Sequence, residues 1–367
     1  MNPLVSILIP AFNAQEWIAE TLRSALAQTW ERKEIIVVDD GSTDRTLAMA
    51  RQFESECVRV ATQKNQGAAA ARNLAFSLSK GEYIQWLDSD DLLAPVKIAR
   101  QMEVLKQCRN KSTLVSSAWG RFFYRYYRAE FAPTALWCDL SPVEWLLRKM
   151  GENLYMPNAS WLVSRELTEA AGPWDTSLCV DDDGEYFCRV LLASDGVRFV
   201  PEARVYYRAS GSNTLSHIGR SERKLEAQLR SMQLHVGYLR SLEDSQRVRA
   251  ACVRFLQTSL IYFYPERLDI VKEMEEMARG LGGQLRPPHL SWKYSWTKAI
   301  VGWRLAKSGQ ALLLKCRWSS ERFWDQTLFR LHNLRPLSKA SVTRAETRAL
   351  HVTEVFDQPS GKGSERI

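Results

Sequence analysis

The chain has 367 residues, 45% hydrophobic and 25% charged, a balance that suits a soluble globular protein with one large domain and an appendage and excludes a low-complexity or fibrous chain. No window approaches the roughly 20 consecutive apolar residues that a membrane-spanning helix requires. Seven widely spaced cysteines, odd in number and without a Cys-x-x-Cys pair, argue against a disulfide framework and a zinc site, and predict a reducing compartment.

The first residues, Met1 to Pro10, have no basic leader and too short an apolar run for a signal peptide, so they read as an opening strand. From there to about Val115, short apolar runs (Val5 to Ile9, Glu34 to Val38, Val58 to Thr62, Tyr83 to Leu87) alternate with helical segments. This pattern predicts βαβ units, hence an α/β fold with a mostly parallel central sheet flanked by helices. The first helix is expected to start at Asn13, with Glu16 as its capping-box partner. Ligands of such sheets bind outside the carboxyl ends of the strands.

Four segments fall at those ends. Pro10, Ala11, Phe12 and Asn13 close the first strand, Pro10 setting the turn and the small Ala11 allowing a ligand close to the backbone. Asp39 and Asp40, followed by Gly41 and Ser42, offer acceptors for a base N–H and for ribose hydroxyls beside a turn. Gly67 opens an alanine-rich helix from which Arg72 projects a planar cation suited to phosphate or pyrimidine. The fourth is the most informative: Tyr83-Ile84-Gln85-Trp86-Leu87 stops at Asp88-Ser89-Asp90-Asp91, which aims hard oxygen ligands at one sheet edge and suits Mg²⁺ or Mn²⁺ bridging a diphosphate.

Further on, Ser141-Pro142-Val143-Glu144 is a helix-opening signature after an aromatic and basic insertion from Trp119 to Trp137. The stretch from Ser221 to about Gly280 predicts two or three amphipathic helices. Between Leu285 and Arg335 lie ten Lys or Arg against Glu321 and Asp325, a net +8 that matches the charge of the whole chain, together with Trp292, Trp296, Trp303, Trp318 and Trp324. Trp296, Ile300 and Trp303 share a helical face, as expected of an interfacial helix on an anionic membrane or of a helix packed on the catalytic domain. Nucleic acid is not expected as a partner, since no binding motif accompanies the charge. The residues after Pro336 are polar and expected to be disordered. The expected division is a catalytic domain over 1–215, a helical region over 216–284, a basic amphipathic segment over 285–335 and a tail over 336–367.

Taken in order, Pro10-Ala11-Phe12-Asn13, Val38-Asp39-Asp40-Gly41-Ser42-Thr43-Asp44, Asn65-Gln66-Gly67 through Ala71-Arg72-Asn73, and Leu87-Asp88-Ser89-Asp90-Asp91 resemble the motifs of the family 2 glycosyltransferases of the GT-A fold. The resemblance spans roughly residues 3 to 212. It implies a Rossmann-like GT-A domain in which Asp39 and Arg72 hold the nucleobase, Pro10, Ala11, Asn13, Asp40, Gly67 and Ser89 line the nucleotide-sugar site, Asp88 meets ribose or metal, and Asp90 coordinates the cation. A later acidic element of that family, six residues before an Arg, supplies the catalytic base. Counting back from Arg189 selects Asp183, with Asp182 beside it; three adjacent aspartates, Asp181 to Asp183, leave the register open by one. Tyr206-Tyr207-Arg208 resembles the segment that closes over the donor diphosphate, so Arg208 is expected to pair with phosphate.

The resemblance therefore implies an inverting, metal-dependent transferase that moves a sugar from a nucleotide donor, with a uridine preference, to a glycan or lipid-linked acceptor. The expected location is cytoplasmic, on the inner face of the plasma membrane. Processive members of the family carry Gln-x-x-Arg-Trp; here Leu314 precedes Arg317-Trp318 where Gln would stand, which points to single additions. Rival readings are a nucleotidyltransferase, disfavoured because no Gly-rich phosphate loop follows the first strand, and a non-catalytic membrane scaffold.

Overall fold

The computed structural model describes residues 2–108, 111–210, 221–288 and 297–334. Its main sheet has five strands in the order β3-β2-β1-β4-β7: β1 (Val5–Ala11), β2 (Lys33–Asp39), β3 (Val58–Thr62), β4 (Tyr83–Trp86) and the two-residue β7 (Val163–Ser164). All pairings are parallel except β4 with β7. The predicted α/β architecture is therefore present, and the four strand positions lie where the apolar runs put them. Both faces of this sheet are covered, which explains why its strands read as continuous apolar runs. Side chains alternate across it. Val5, Ile7 and Ile9 face the core under α1 (Ile18–Leu26), α2 (Thr46–Arg51) and α4 (Lys97–Gln107), while Leu8 faces α3 (Ala68–Leu78), α5 (Pro142–Glu152), α6 (Arg165–Ala171) and α7 (Asp182–Ala193).

The start of α1 differs from expectation. Asn13 is in the left-handed region at φ 48°, and the helix begins at Ile18 with no side-chain cap. Asn13 instead accepts the Thr43 amide and donates its own N–H to the Ser42 hydroxyl, tying the β1 turn to the β2 turn. Ser141 does cap α5, accepting from the Glu144 amide at 3.3 Å, as its sequence predicts.

A second sheet joins β5 (Leu92–Leu93), β6 (Thr113–Phe122) and β8 (Gly196–Arg208), with β8 in the middle. The antiparallel register pairs Leu92 with Tyr206, so two residues after Tyr206 and two before Leu92 it sets Arg208 against Asp90. Three helices follow, α8 (Glu222–Leu242), α9 (Gln246–Ser259) and α10 (Leu268–Gly280), as the periodicity predicts. Their apolar faces do not form a core of their own: Leu225, Met232, Leu239 and Phe255 are continuous with the core behind α3, α5 and α7. All seven cysteines are unpaired.

The last helix, α11 (Thr297–Leu334), is kinked at Gly302 and returns to the catalytic domain. Asp325 accepts from the Tyr124 and Arg125 amides at 2.9 and 3.2 Å and from Arg125 Nε at 2.6 Å. Trp318 packs edge-on against Phe123, and Phe329 against Tyr124. The face expected around Trp296 and Ile300 lies outside the described residues, as do Trp292 and the tail from residue 335. Among the described residues no helix is long and apolar enough to cross a membrane.

Candidate functional site

The carboxyl ends of β1, β2 and β4 open on one edge of the main sheet, and the N-termini of α3 and α7 and the end of β8 close around it. Parallel pairing places Ala11 beside Asp39. Asp39 is buried; its Oδ2 receives the Ser42 amide and the Thr62 hydroxyl, while Oδ1 has no partner among the described residues. A buried acceptor left open in this way matches the place at which a base N–H is expected. Asp40, also sought as a ligand contact, is placed otherwise. Its two oxygens take Gln63 Nε2 at 2.7 Å and the amides of Gln66 and Gly67 at 2.9 and 2.8 Å, so its carboxylate shapes the loop that leads into α3. Pro10 and Ala11 are buried beneath this turn, and Gly67 enters α3 with φ 94°.

Arg72 is 5% exposed, turned inward from α3 rather than out to solvent. Its guanidinium bridges Asp88 Oδ1 at 2.8 Å and Asp182 Oδ2 at 2.7 Å, and rests 4.4 Å above the Trp174 ring. Trp174 in turn stacks on Tyr186 with centroids 4.0 Å apart. Burial opposes the charge of Arg72, but Asp88 and Asp182 outweigh it and leave the guanidinium more basic than usual. Asp88 also receives Asn158 Nδ2 on both oxygens, at 3.3 and 3.2 Å. Asn158 is 2% exposed and serves this carboxylate.

The acidic loop itself is held by Arg208. Its guanidinium lies between Trp17 and Phe122, at 4.2 and 4.4 Å from the ring centroids, and donates to the Asp90 and Phe123 carbonyls and, at 2.6 Å, to Glu20. Its amide donates to Asp91 Oδ1. Arg208 is 2% exposed, beneath the carboxylates, and its guanidinium is held by protein acceptors where a phosphate contact is expected of it. Ser89 fixes the loop from the other side, its carbonyl receiving the Thr21 hydroxyl.

Desolvation, then the neighbouring Asp88, pushes Asp90 up to about 6, and Asp91 is raised well above the carboxylate range by burial and by Asp90 and Asp88. Asp91 Oδ2 is buried without a partner among the described residues. A cluster of carboxylates whose pKa values stay raised although Arg72 and Arg208 lie beside it suits a divalent cation. Among the described residues no three His, Cys, Asp or Glu side chains form a ready-made metal cage. Asp90 and Asp88 would supply two hard oxygens and leave the remaining positions to ligand phosphates and water, the usual Mg²⁺ arrangement.

Opposite these residues stands the start of α7. Asp182 is engaged by Arg72, whereas Asp183 has the Gly184 amide as its one hydrogen bond among the described residues. Burial first, then Asp182 and Asp181, raises Asp183 to about 7. Asp181, in the left-handed region at φ 52°, receives the Ser231 hydroxyl at 2.5 Å and lies 3.5 Å from His235 Nδ1. Burial depresses His235 to about 4, with Lys149 adding to the effect, so the ring is neutral near pH 7. The helical region thus supports the acidic turn from behind. A Cβ on Gly184 would collide with Asp181 Oδ1. Gly184→Ala is therefore expected to push Asp181 off Ser231 and destabilise the chain by about 1–3 kcal/mol. Urea unfolding checks this, and an unchanged midpoint would contradict it.

Trp174, Asn158, Ser231, His235 and Trp17 escaped the sequence reading. Each acts on a site residue distant in the chain, and none carries a local pattern that marks it.

With this geometry in view, the comparisons with known proteins are consistent. Residues 6–167 match the model of Glycosyl transferase family 2. An uncharacterized glycosyltransferase of Rickettsia typhi is 28% identical over 71% of this chain and 80% of its own length. The UDP-Glc:alpha-D-GlcNAc-diphosphoundecaprenol beta-1,3-glucosyltransferase WfaP of Escherichia coli is 41% identical over 28% of this chain and 41% of its own. With other curated relatives the match is as short as 19% of their length. Among solved structures, S. aureus TarS 1-349 superposes with a TM-score of 0.58 over 76% of this chain and 79% of that one, at 16% identity; its complex with UDP-GlcNAc gives 0.54 over 84% and 91%, at 18%. That likeness establishes the fold.

Proposed function

Because this chain carries a family 2 glycosyltransferase domain on a GT-A fold and is a glycosyltransferase, we propose that it is an inverting, metal-dependent enzyme that transfers one sugar from a nucleoside-diphosphate donor to a hydroxyl of a cell-surface glycan or its lipid-linked precursor. The observation that carries this reading is the Arg72 bridge, which joins the end of β4 to the start of α7 and so sets the donor carboxylates against an acidic turn holding a base of raised pKa.

In the proposed reaction Asp183 takes the proton of the acceptor hydroxyl as that oxygen attacks the anomeric carbon. The bond from that carbon to the diphosphate breaks on the opposite face, the nucleoside diphosphate leaves with the electron pair, and configuration inverts. Asp90 and Asp88 would hold Mg²⁺ or Mn²⁺, which when bound offsets the charge on the leaving diphosphate. Asp182 stays on Arg72 and fixes the α7 turn. Asp39 presents its open oxygen to the base. A UDP donor and a diphospholipid acceptor are supported by the name of the E. coli relative WfaP. For the lipid-linked acceptor we place the enzyme peripherally on the inner face of an anionic membrane.

Thermal unfolding with UDP, GDP, CMP or TDP, each with and without Mn²⁺, tests this directly, because a ligand that binds only the folded state raises Tm by mass action. One nucleotide is expected to raise Tm only with metal, by about 2.7 kcal/mol of added stability at a hundredfold excess over Kd, and the rise should vanish in Asp90→Ala. No shift with any nucleotide would reject the donor site.

A further inference from the structure

Helix α11 has two faces. At about 100° per residue, Trp318, Arg322, Asp325 and Phe329 share the side that docks on the turn from Phe123 to Tyr127. Leu312, Leu313, Phe323, Trp324 and Leu331 fall on the opposite side, and all are exposed, Phe323 and Trp324 by 62% and 63%. Lys315 borders that apolar stripe on one edge and Arg317 on the other, with Arg330 within it. The residues 297–334 carry seven Lys or Arg against two acids. A soluble domain rarely leaves so many large side chains exposed in one stripe without a partner.

We infer that this outward face of α11, built on Leu312, Leu313, Phe323, Trp324 and Leu331, lies in the headgroup layer of an anionic bilayer. The apolar stripe supplies burial in the acyl boundary, Trp324 suits the headgroup level, and Lys315 and Arg330 meet lipid phosphates, while Arg317 is paired with Glu321 at 2.9 Å. A second protein chain would satisfy the apolar stripe but not the basic edges, unless it were acidic. The clasp from Asp325 to Arg125 and the Tyr124 amide makes the docking rigid rather than tethered. One helix diameter, about 10 Å, separates the bilayer face from the turn whose Phe123 carbonyl receives Arg208. The inference extends the membrane-linked acceptor proposed above, but its test needs no sugar.

The full chain should be floated with phosphatidylcholine vesicles, with and without phosphatidylglycerol. It is expected to partition onto the anionic vesicles at least tenfold better than onto neutral ones, and added salt should release much of it. Phe323→Asp combined with Trp324→Asp should cut partitioning at least tenfold while leaving Tm in buffer unchanged, since both side chains are exposed. Failure of the native chain to float with anionic vesicles overturns the inference, as does undiminished flotation of the double variant. Light scattering that shows a dimer in the native chain and a monomer in the double variant would assign the face to a second copy and overturn it equally. A nucleotide shift that persists when flotation fails would leave the transferase reading standing.

Discussion

Replacing Asp183 by Asn is expected to lower kcat by about 10²–10⁴-fold, the usual worth of a positioned general base, and at the same time to raise Tm at neutral pH. The two effects share one cause. Burial and the adjacent Asp182 and Asp181 lift Asp183 from 3.8 to about 7, so ionising it in the folded protein costs free energy that the unfolded chain does not spend. The folded state therefore binds this proton more tightly than the unfolded state. Its contribution to stability is largest below the unfolded value, declines as pH rises from near 4 toward 7, and is lost above that. The amide that replaces the carboxyl has no such proton to lose, which removes the decline. Activity runs the other way: Asp183 must be ionised to accept a proton, so kcat/KM should rise with pH along an acid limb centred near 7, or lower once a dication at Asp90 stabilises negative charge nearby. A pH series of kcat/KM and of Tm on both proteins measures this. An Asn variant with native activity would move the base elsewhere in the acidic turn, and one with a lower Tm would contradict the electrostatic account.

Replacing Arg72 by Met should destabilise the chain by about 3–5 kcal/mol, the cost of breaking a buried ion pair from one side, and should abolish transfer. Asp88 and Asp182 share this one guanidinium, and their side chains are 31% and 15% exposed, so neither carboxylate can recover full hydration when it goes. Arg72→Lys should rescue little. A lysine provides a point charge, whereas the two acceptors here are met by separate arms of a planar fork, which also stacks on Trp174. Combining Arg72→Met with Asp182→Asn should cost less than the sum of the two single changes, because the second removes a charge that the first has stranded. Urea unfolding of the four proteins gives the coupling. Additive losses, or a lysine variant of native stability and activity, would show that the bridge does not organise the site.

The contrast between these two residues shows how much of the site was readable beforehand. Asp183 is reached only through the family resemblance, with the register among Asp181 to Asp183 open by one, whereas the four strands follow from their continuous apolar runs, because a parallel sheet buried on both faces demands such runs wherever it occurs. The task of Arg72 could not be reached in that way. Its motif marked it as a ligand contact, yet its partners are 16 and 110 residues away and occupy both ends of its guanidinium. Arg208 was marked for phosphate for the same local reason, and the β5–β8 register instead turns it under Asp90 between Trp17 and Phe122. Asn13 has the composition of a cap and so predicts a helix start earlier than Ile18, while tertiary hydrogen bonds to Ser42 and Thr43 hold it in a left-handed turn.

Sequence by itself determined the α/β class, the positions of the first four strands along the chain, and the delivery of Asp39, Asp88 and Asp90 to strand ends, since each depends on local periodicity and on chain reversal over short spans. Only the tertiary structure decided which charges face one another: that Asp182 serves Arg72 and leaves Asp183 with its raised pKa, that Ser231 and His235 support the acidic turn, and that Asp325 clasps the last helix to the Tyr124 turn. Those pairings are set by burial and register between segments 50 to 201 residues apart. In the low dielectric of the interior a few ångströms settle whether a carboxylate is paired or stranded, and no local pattern encodes that distance.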